Sequence, residues 1–458
     1  MKRKIEKKYI YRFFCALILT VIASGLFFVT WYNFVSTHNQ TGHLLGAGNL
    51  GMALGIYMLL YLAIGKTVRA FKIGVERKSS VIAAQIVALG IVDVLEQFLS
   101  LAITGEFRFF WMFAWRYALL LVIQSIIISL VTMVMINIYR RTFPPLQLLE
   151  IYGDMENDLY YDVNMIPYKY HIKARKHYSE GPFKGLFPDY DAVLINDIPA
   201  QKRNDILKEC FNQNKRVYFT PKISDILVKS SENMNLLDTP VSLLRNNGPS
   251  LSRLIVKRAF DIFASLAALI LLSPLFAVTA IAIKANDGGQ VFYKQERCTL
   301  DRKRFMIIKF RSMIVDAEKD GKAHPAGEND DRITKVGHII RATRIDELPQ
   351  LINILKGDMS IVGPRPERVE HVILYTDDIP EFSFRYKMRG GLTGYAQVYG
   401  KYNTTALDKL KMDMLYITNF SLRLDFQIIM ETLKILFRKE STEGFDASRA
   451  EEIHDKSC

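Results

Sequence analysis

The first 140 residues contain four long apolar runs, and these constrain the fold more than any other feature. The runs cover roughly residues 10–32, 47–65, 80–104 and 109–138. Each is long enough for the ~20 residues that a membrane-spanning helix needs. A secretory signal peptide is the alternative interpretation of residues 1–30. It fits less well, because the first run is long and three more follow.

Basic residues between the runs predict the orientation of the helices. The N-terminus, residues 66–78 and Arg140–Arg141 are rich in Lys and Arg, whereas residues 33–46 carry none and 105–108 carry only Arg108. Basic loops are typically the cytoplasmic ones. We therefore expect a multi-pass membrane protein with both termini in the cytoplasm.

Three charged residues, Asp93, Glu96 and Arg116, lie inside the third and fourth runs. Charge within a membrane is costly, so these residues suggest a transport pathway. The alternative is a buried polar pairing, or interfacial depth, in a four-helix anchor. A carrier usually has more spans and broken helices in matching halves, so we favour the anchor.

Composition narrows the class of protein. The 458 residues include 60 Lys or Arg and 47 Asp or Glu, a net charge of +13, and the mean hydropathy is +0.08. These values exclude a disordered chain, a collagen and a disulfide scaffold. Four cysteines without paired metal spacing argue against zinc and fit a reducing compartment. Because the basic charge lies beside apolar runs, it predicts inner-leaflet lipids rather than nucleic acid as partners.

Residues 146–245 change to alternating strand and helix patterns. The predicted elements are strands at 146–153 and 190–197, a helix at 200–214, a strand at 216–221 and a helix at 222–230. This order predicts a parallel sheet. The first strand runs into Gly153-Asp154-Met155-Glu156, without a glycine-rich phosphate loop. We therefore predict a degenerate Rossmann-like module rather than an NAD site. The stretch 231–252, rich in turn residues, is predicted to be a linker.

A fifth apolar run, residues 262–283, is long enough to span, but its flanks argue against crossing. Lys257–Arg258 precede it and Lys284 follows it, so both ends are basic. Ser273-Pro274 lie at its midpoint, where proline removes a helix hydrogen bond. We predict a re-entrant helix over 257–284 that enters and leaves by the same leaflet. An ordinary kinked spanning helix is the alternative.

The residues after 284 predict a polar domain that begins with a hairpin. Segments 290–297 and 304–313 alternate as two strands. Lys309 and Arg311 are two residues apart, so they should share one face while Phe310 turns inward.

Asp346 and Glu347 are adjacent carboxylates in an arginine-rich segment. Pro349 suits the first turn of a helix, which would place both at the positive end and favour their ionised forms. Such a pair suits attack on phosphorus and ligation of a hard cation such as Mg²⁺. A helix cap with surface ion pairs is the alternative. Further on, Arg365 stands between two prolines, as a rigid phosphate clamp would.

From Lys257 to about Gly444 the chain resembles the bacterial sugar transferases that are monotopic polyprenyl-phosphate phosphoglycosyl transferases. The matching motifs are KRAFDI (257–262), the Ser273-Pro274 break, KFRSM (309–313), IDELPQL (345–351), GDMSIVGPRP (357–366), GLTGYAQVYG (391–400) and YI-x-x-F-S-x-x-x-D (416–425). With four spans and an α/β module in front, the chain resembles the long members of that family.

The resemblance implies a reaction. A sugar 1-phosphate would pass from a UDP-sugar to undecaprenyl phosphate, with release of UMP. Asp346 would be the nucleophile that forms an aspartyl-phosphosugar intermediate, and Glu347 would help to hold Mg²⁺. The candidate substrate- and phosphate-binding residues, taken from the matching motifs, are Lys309, Arg311, Arg365, Arg258 and Gln397.

The resemblance also implies a setting and a product. The protein would lie in the bacterial plasma (inner) membrane with a cytoplasmic catalytic domain, as a possible homodimer. It would start a capsular or exopolysaccharide chain. Glucose or galactose is the expected sugar and an N-acetylhexosamine the alternative. A non-catalytic membrane scaffold or regulator, and a nucleotide sensor built on the α/β module, are alternatives from other classes.

Three departures from the family pattern bear on the donor rather than on the reaction. Thr299 and Arg302 stand where many members have glycines, Gly390 where a proline is common, and Lys401 where an arginine is common. The amphipathic segment 422–438 is expected either at the membrane interface or in the core.

The predicted fold is a membrane α/β protein. Its predicted domains are four transmembrane helices (1–142), the Rossmann-like α/β module (146–245), a linker (246–256), the re-entrant helix (257–284), the catalytic α/β domain (285–445) and a C-terminal tail (446–458).

Overall fold

The computed structural model describes residues 2–39, 43–154, 157–244, 248–314, 330–400 and 404–436. The chain divides into two compact units, Met1–Pro221 and Lys222–Cys458. The predicted tail (446–458) and the departure at Lys401 lie outside the described residues.

Four long helices open the first unit, as the apolar runs predict. They are α1 (Lys2–Asn33), α2 (Ala47–Thr67), α3 (Lys78–Thr104) and α4 (Phe110–Thr142). All four are long and apolar enough to cross a membrane. Aromatic rings fill the space between them, and the rings of Phe27 and Tyr57 stack with centroids 4.3 Å apart.

The charged residues within these helices lie in different surroundings. Gln124 donates to the Tyr57 hydroxyl at 2.9 Å, and that hydroxyl donates to Asp93 at 3.5 Å. Glu96 is fully buried, and its carboxylate finds no hydrogen-bond partner among the described residues. The Arg116 guanidinium lies 4.4 Å from the centre of the Phe34 ring. Asp93 thus belongs to a buried polar chain, whereas Arg116 stacks on an aromatic ring.

A four-stranded parallel sheet follows in the same unit. The elements are β1 (Leu146–Tyr152), α5 (Leu159–Asn164), β2 (Tyr170–His177), β3 (Ala192–Asn196), α6 (Ala200–Asn212) and β4 (Arg216–Phe219). The strand order is β2-β1-β3-β4, and every pair is parallel. The parallel sheet is confirmed, although the sequence patterns did not predict β2.

The residues after β1 show how the polypeptide turns at the edge of this sheet. A Cβ at Gly153 would collide with the Asp197 carbonyl, so glycine permits close backbone approach there. The next residue, Asp154, accepts hydrogen bonds from His177 and Tyr178, both at 3.0 Å.

The second unit begins with elements that the sequence patterns assigned in part to a linker. Helix α7 (Ile223–Lys229) is followed by an antiparallel hairpin of β5 (Glu232–Leu236) and β6 (Thr239–Leu243). The linker predicted over 231–252 is therefore wrong where it covers the hairpin. Both strands are largely exposed on both faces, so they lack the apolar alternation that identifies a strand. The assignment of 251–256 to a linker is wrong too, because the next helix begins at Leu251.

Two helices joined by a sharp bend contain the fifth apolar run. Helices α8 (Leu251–Leu271) and α9 (Ser273–Asp287) meet at an angle of 62°. The bend lies at the predicted Ser273-Pro274 position. Its cause is the proline, which cannot donate a hydrogen bond to the preceding turn.

Helix α8 turns its polar side inward and its apolar side outward. Lys257, Asp261 and Ser265 recur every four residues and are buried. Phe263 and Leu271, in contrast, are 73% and 78% exposed. A helix in water shows the opposite arrangement. This outward apolar surface therefore suits contact with lipid.

The rest of the unit packs two small sheets among short helices. Its elements are β7 (Phe292–Cys298), β8 (Arg304–Phe310), α10 (Lys335–Ala342), α11 (Gln350–Lys356), β9 (Ser360–Val362), α12 (Val369–Asp378), β10 (Gly391–Thr393), α13 (Tyr395–Tyr399), α14 (Ala406–Thr418) and α15 (Leu422–Leu436). β7 and β8 form the predicted antiparallel hairpin, and β9 pairs with β10 in parallel. Ile428 of α15 is fully buried in the core beside α14, so core packing accounts for this amphipathic helix.

Candidate active site

Strand β8 places Lys309 against the carboxylate pair formed by Asp346 and Glu347. Lys309 Nζ lies 2.9 Å from Glu347 Oε1. Phe310 turns inward, as predicted, and is 2% exposed. Arg311 follows the end of the strand and pairs instead with Asp287 at the end of α9. The structure thus brings Lys309 to the carboxylate pair and engages Arg311 elsewhere.

The carboxylate pair lies in a short 3₁₀ turn, Ile345–Glu347, just before α11. Arg344, which opens the turn, has a φ of 58°, a left-handed conformation that is uncommon for any residue with a side chain. Pro349 directly precedes α11, close to its predicted first-turn position. The two carboxylates therefore sit in a sharply turned connection between α10 and α11 rather than on a helix.

Arg365 reaches the same carboxylate from the loop that follows β9. Its Nη2 lies 3.3 Å from Glu347 Oε1. Backbone bonds fix this loop on both sides of Arg365: Gly363 N donates to Thr393 O at 2.9 Å, and Cys298 N donates to Glu367 O at 3.2 Å. The structure thus brings Arg365 to the carboxylate pair, and its role as a phosphate clamp stays a prediction.

The two carboxylates experience different electrostatic environments. Burial raises the pKa of Asp346, and the positive charge of Lys309 offsets this only in part. Burial would also raise the pKa of Glu347, but Lys309, Arg365 and Arg344 outweigh it and hold that pKa well below its ordinary range. The ionised form is thus strongly favoured at Glu347, and less so at Asp346 than a helix N-terminus would predict.

The carboxylate pair also offers ligands for a divalent cation. Among the described residues, no group of three or more His, Cys, Asp or Glu is arranged to hold a metal. Mg²⁺ commonly takes one or two carboxylates and completes its shell with water and substrate phosphates. Glu347 Oε1 is shared by two cations, but the nearest cation paired with Oε2 is Arg344 at 3.8 Å. The pair therefore fits a Mg²⁺ ion that phosphate oxygens hold in large part.

Two further candidates from the sequence make backbone contacts. Arg258 donates to the carbonyls of Ile354 and Leu355 at 2.6 and 2.8 Å, so it caps the C-terminal end of α11. Gln397 donates to Leu392 O at 3.2 Å, and its own Oε1 is buried without a hydrogen-bond partner among the described residues. The contacts give Arg258 a structural role and leave one polar atom of Gln397 available.

Two of the departures from the family pattern contact each other. Gly390 N donates to Thr299 Oγ1 at 3.0 Å, and that hydroxyl donates to Asp358 O at 2.8 Å. A proline at position 390 would have no N–H for this bond. Arg302 has a φ of 59°, so the hairpin turn keeps a conformation that glycine adopts more readily.

Arg385, which the sequence patterns did not single out, supports the Arg365 loop. It is 2% exposed and donates to the Arg365 carbonyl at 3.0 Å. It also pairs with Asp413 at 2.7 Å and Glu367 at 3.4 Å. No periodicity marks a buried arginine, so only the folded structure identifies it.

Comparison with known proteins places the second unit in one family. The model for the family described as bacterial sugar transferase matches residues 252–439. The exopolysaccharide production protein PSS of Rhizobium leguminosarum bv. phaseoli is 42% identical over 189 residues, which cover 39% of this chain and 94% of that protein.

Two larger relatives match over more residues. The UDP-N-acetylgalactosamine-undecaprenyl-phosphate N-acetylgalactosaminephosphotransferase of Aeromonas hydrophila is 38% identical over 260 residues, 54% of this chain and 60% of that protein. The UDP-glucose:undecaprenyl-phosphate glucose-1-phosphate transferase of Klebsiella pneumoniae is 38% identical over 249 residues, 53% of each. The chain thus matches between half and three fifths of these two relatives. With nearly all of a relative covered at 42% identity, the chain belongs to the bacterial sugar transferase family.

Proposed function

We propose that the protein is a phosphoglycosyl transferase that moves a sugar 1-phosphate from a UDP-sugar to undecaprenyl phosphate and releases UMP. The observation that carries this proposal is the carboxylate pair, with Asp346 half-buried beside a Glu347 that Lys309 and Arg365 both contact. The names of the relatives, which combine a UDP-sugar with undecaprenyl phosphate, support the same reaction.

The reaction runs in two displacements. An Asp346 carboxylate oxygen attacks the phosphorus that carries the sugar, and the bond from that phosphorus to the bridging oxygen breaks. UMP leaves, and the sugar phosphate stays bound to Asp346. A phosphate oxygen of undecaprenyl phosphate then attacks the same phosphorus and displaces the carboxylate, so Asp346 is regenerated and the lipid diphosphate sugar is formed.

The cations around the carboxylate pair make this chemistry feasible. Both substrates are anions and so is the nucleophile, so each approach meets like-charge repulsion. Lys309 and Arg365 both contact Glu347, so they lie next to the proposed nucleophile and can bind phosphate oxygens there. Mg²⁺, held by Glu347 and by the phosphates, would supply further neutralisation of charge on the phosphate oxygens.

Helices α8 and α9 connect the site to a lipid substrate. We propose that they form the re-entrant helix, with the exposed apolar side of α8 in the inner leaflet. Lys257 Nζ contacts Asp425 at 2.6 Å, and Asp261 accepts from Ser360 at 2.7 Å. These buried bonds tie α8 to the polar domain that bears the carboxylate pair, so a polyprenyl phosphate head group would reach the site from the membrane surface.

The setting follows from this proposal. The protein would lie in the bacterial plasma membrane with its termini and catalytic residues in the cytoplasm, and it would start a cell-surface polysaccharide. A hexose donor, UDP-glucose or UDP-galactose, is the proposed sugar nucleotide. An N-acetylhexosamine donor is the second candidate, because the Aeromonas relative is named for N-acetylgalactosamine.

The identity of the released nucleotide tests the proposal. Purified protein is incubated with undecaprenyl phosphate, Mg²⁺ and each member of a UDP-sugar panel, with Asp346→Asn as control. We expect UMP with one donor and none from the variant. Release of UDP would instead mean ordinary glycosyl transfer. No release by protein that is shown to be folded would favour a scaffold.

A further inference from the structure

Arg297 on β7 is a half-buried arginine whose hydrogen-bond partners are both neutral. Its Nη1 donates to Pro366 O at 3.2 Å and its Nη2 to Gln295 Oε1 at 2.6 Å. Its Nε is buried and has no hydrogen-bond partner among the described residues. Among the residues that the structure describes, no carboxylate lies within 4.0 Å of this guanidinium. An arginine that is bonded only to an amide and a carbonyl has no carboxylate paired directly with its charge.

Arg297 lies in a pocket that also contains two cations of the candidate active site. Arg297, Lys309 and Arg365 line one pocket, together with Gln350, Pro366 and Leu392. Lys309 and Arg365 share a single carboxylate oxygen, Glu347 Oε1. Three cations thus converge on a pocket in which one carboxylate balances two of them. Such an excess of positive charge favours an anionic ligand.

The electrostatics of the guanidinium agree with this. Burial, together with repulsion from Arg365 and Arg368, lowers the pKa of Arg297 to about 10, although Glu367 opposes this shift. Glu367 itself pairs with Arg385 at 3.4 Å, so its charge is already engaged. Holding the cation in this place is therefore unfavourable until an anion arrives.

We infer that Arg297 completes a phosphate subsite with Lys309 and Arg365, and that this subsite holds a phosphate group other than the one under attack. The inference rests on the proposed function, which brings two such groups to the site: the uridylate phosphate of the donor and the phosphate of the lipid acceptor. Both groups offer the same chemistry, because their phosphate oxygens accept paired hydrogen bonds from a guanidinium. Arg297 is the member of the subsite that has no protein carboxylate to release, so it is free to bind the substrate.

The test compares Arg297→Gln and Arg297→Lys with wild type in the full-length protein. The matched control is Arg304→Gln, an exposed arginine on the partner strand β8 that pairs with Glu296 at 3.5 Å. Binding of inorganic pyrophosphate and of UDP is measured by calorimetry, and the KM for undecaprenyl phosphate is measured in turnover with the productive UDP-sugar. Thermal unfolding of every variant is recorded in parallel.

We expect Arg297→Gln to weaken pyrophosphate binding about tenfold or more, as loss of a charge-assisted hydrogen bond does. Arg297→Lys should lose less, and Arg304→Gln should bind as wild type does. Weaker UDP binding with an unchanged KM for the lipid assigns the subsite to the donor. A raised KM for the lipid, with UDP binding unchanged, assigns it to the acceptor.

One result would overturn the inference. If both Arg297 variants bind pyrophosphate and UDP as tightly as wild type and keep its KM for the lipid, Arg297 only anchors the hairpin to Pro366. Failure of the proposed function is a separate outcome. Wild type would then turn over no UDP-sugar, while pyrophosphate binding would still show whether Arg297 holds an anion.

Discussion

Asp346 and Glu347 are neighbours in sequence, but their surroundings shift their pKa values in opposite directions. The pKa of Glu347 is held low because three cations outweigh its burial. The pKa of Asp346 is raised by burial, which Lys309 offsets only in part. A carboxylate that is incompletely compensated is the better nucleophile of the two, since fewer cations compete for its charge. In the proposed mechanism Asp346 is therefore the nucleophile, and the difference arises because Lys309 and Arg365 both pair with Glu347.

The pH dependence of the reaction should report Asp346 and not Glu347. Attack requires ionised Asp346, so kcat/KM should fall as the pH drops through a pKa that lies above the ordinary ~3.9 of aspartate. Lys309→Met removes the cation that lowers this pKa, so the acid limb should move to higher pH. The pH profile of kcat/KM for UMP release measures both effects.

Lys294→Met, an exposed lysine on the neighbouring strand β7, serves as the control and should leave the acid limb in place. An acid limb that stays fixed or moves to lower pH in Lys309→Met would contradict the assignment of this titration to Asp346.

Single residues also show where sequence reasoning succeeds. Strand alternation correctly turned Phe310 inward, because β8 extends to that residue. Arg311 lies beyond the end of the strand, so strand alternation does not determine its direction, and it pairs with Asp287. Arg258 was predicted from a motif to bind substrate, yet its guanidinium donates to two carbonyls of α11. The partners of long charged side chains depend on tertiary contacts, which a motif does not specify.

Among the elements, helices α8 and α9 bear most directly on function. Their polar side is buried and their apolar side is exposed, and they bend by 62° at Ser273-Pro274. Lys257, Arg258 and Asp261 of α8 form hydrogen bonds inside the unit. The outward surface therefore does not carry these groups, which a hydrocarbon environment would penalise. This arrangement is consistent with a helix pair that enters and leaves the membrane on one side.

Cysteine labelling tests that topology. Ser252 at the start of α8 and Asn286 at the end of α9 are both exposed, and each is replaced by cysteine in a background without native cysteines. We expect both sites to resist a membrane-impermeant thiol reagent in intact cells and to react after permeabilisation. Leu44→Cys, in the predicted external loop, should react in intact cells. Labelling of only one of the α8–α9 sites from outside would mean that the pair crosses the membrane.

At the element scale, the predictions succeeded where periodicity was strong. The four apolar helices, the β7–β8 hairpin and the bend at Pro274 all follow from patterns of apolar residues or from proline. The hairpin of β5 and β6 was missed, since its strands bury little. Strand β2 was also missed: its alternating burial lies in a segment rich in Lys, His and Tyr, where polar residues obscure the period.

At the scale of the whole molecule, the chain consists of two compact units with a boundary at Pro221–Lys222. Helix α7, which the sequence placed at the end of the α/β module, packs in the second unit. Its Ile226 is 2% exposed in a core that includes Leu410 and Met414. The physical boundary therefore precedes α7, although the helix follows directly on β4 and continues the strand–helix alternation.

Two shortened chains test this boundary. A chain that begins at Lys222 keeps α7, whereas one that begins at Leu251 leaves its place in the core empty. We expect the first to release UMP and to be more stable by ~3 kcal/mol, on the basis of one buried isoleucine and its neighbours. Thermal unfolding and nucleotide release measure the difference. Ile226→Ala in the full chain should lower stability as well. Equal stability of the two shortened chains would show that α7 does not belong to this core.

The most direct test of the central claim is the mass of the protein after incubation with its UDP-sugar in the absence of undecaprenyl phosphate. Without an acceptor, the intermediate should accumulate. We predict an added mass equal to one sugar phosphate on the peptide that contains Asp346, absent from Asp346→Asn and removed when undecaprenyl phosphate is added. Turnover without any adduct, or an adduct on another residue, would contradict the two-displacement mechanism.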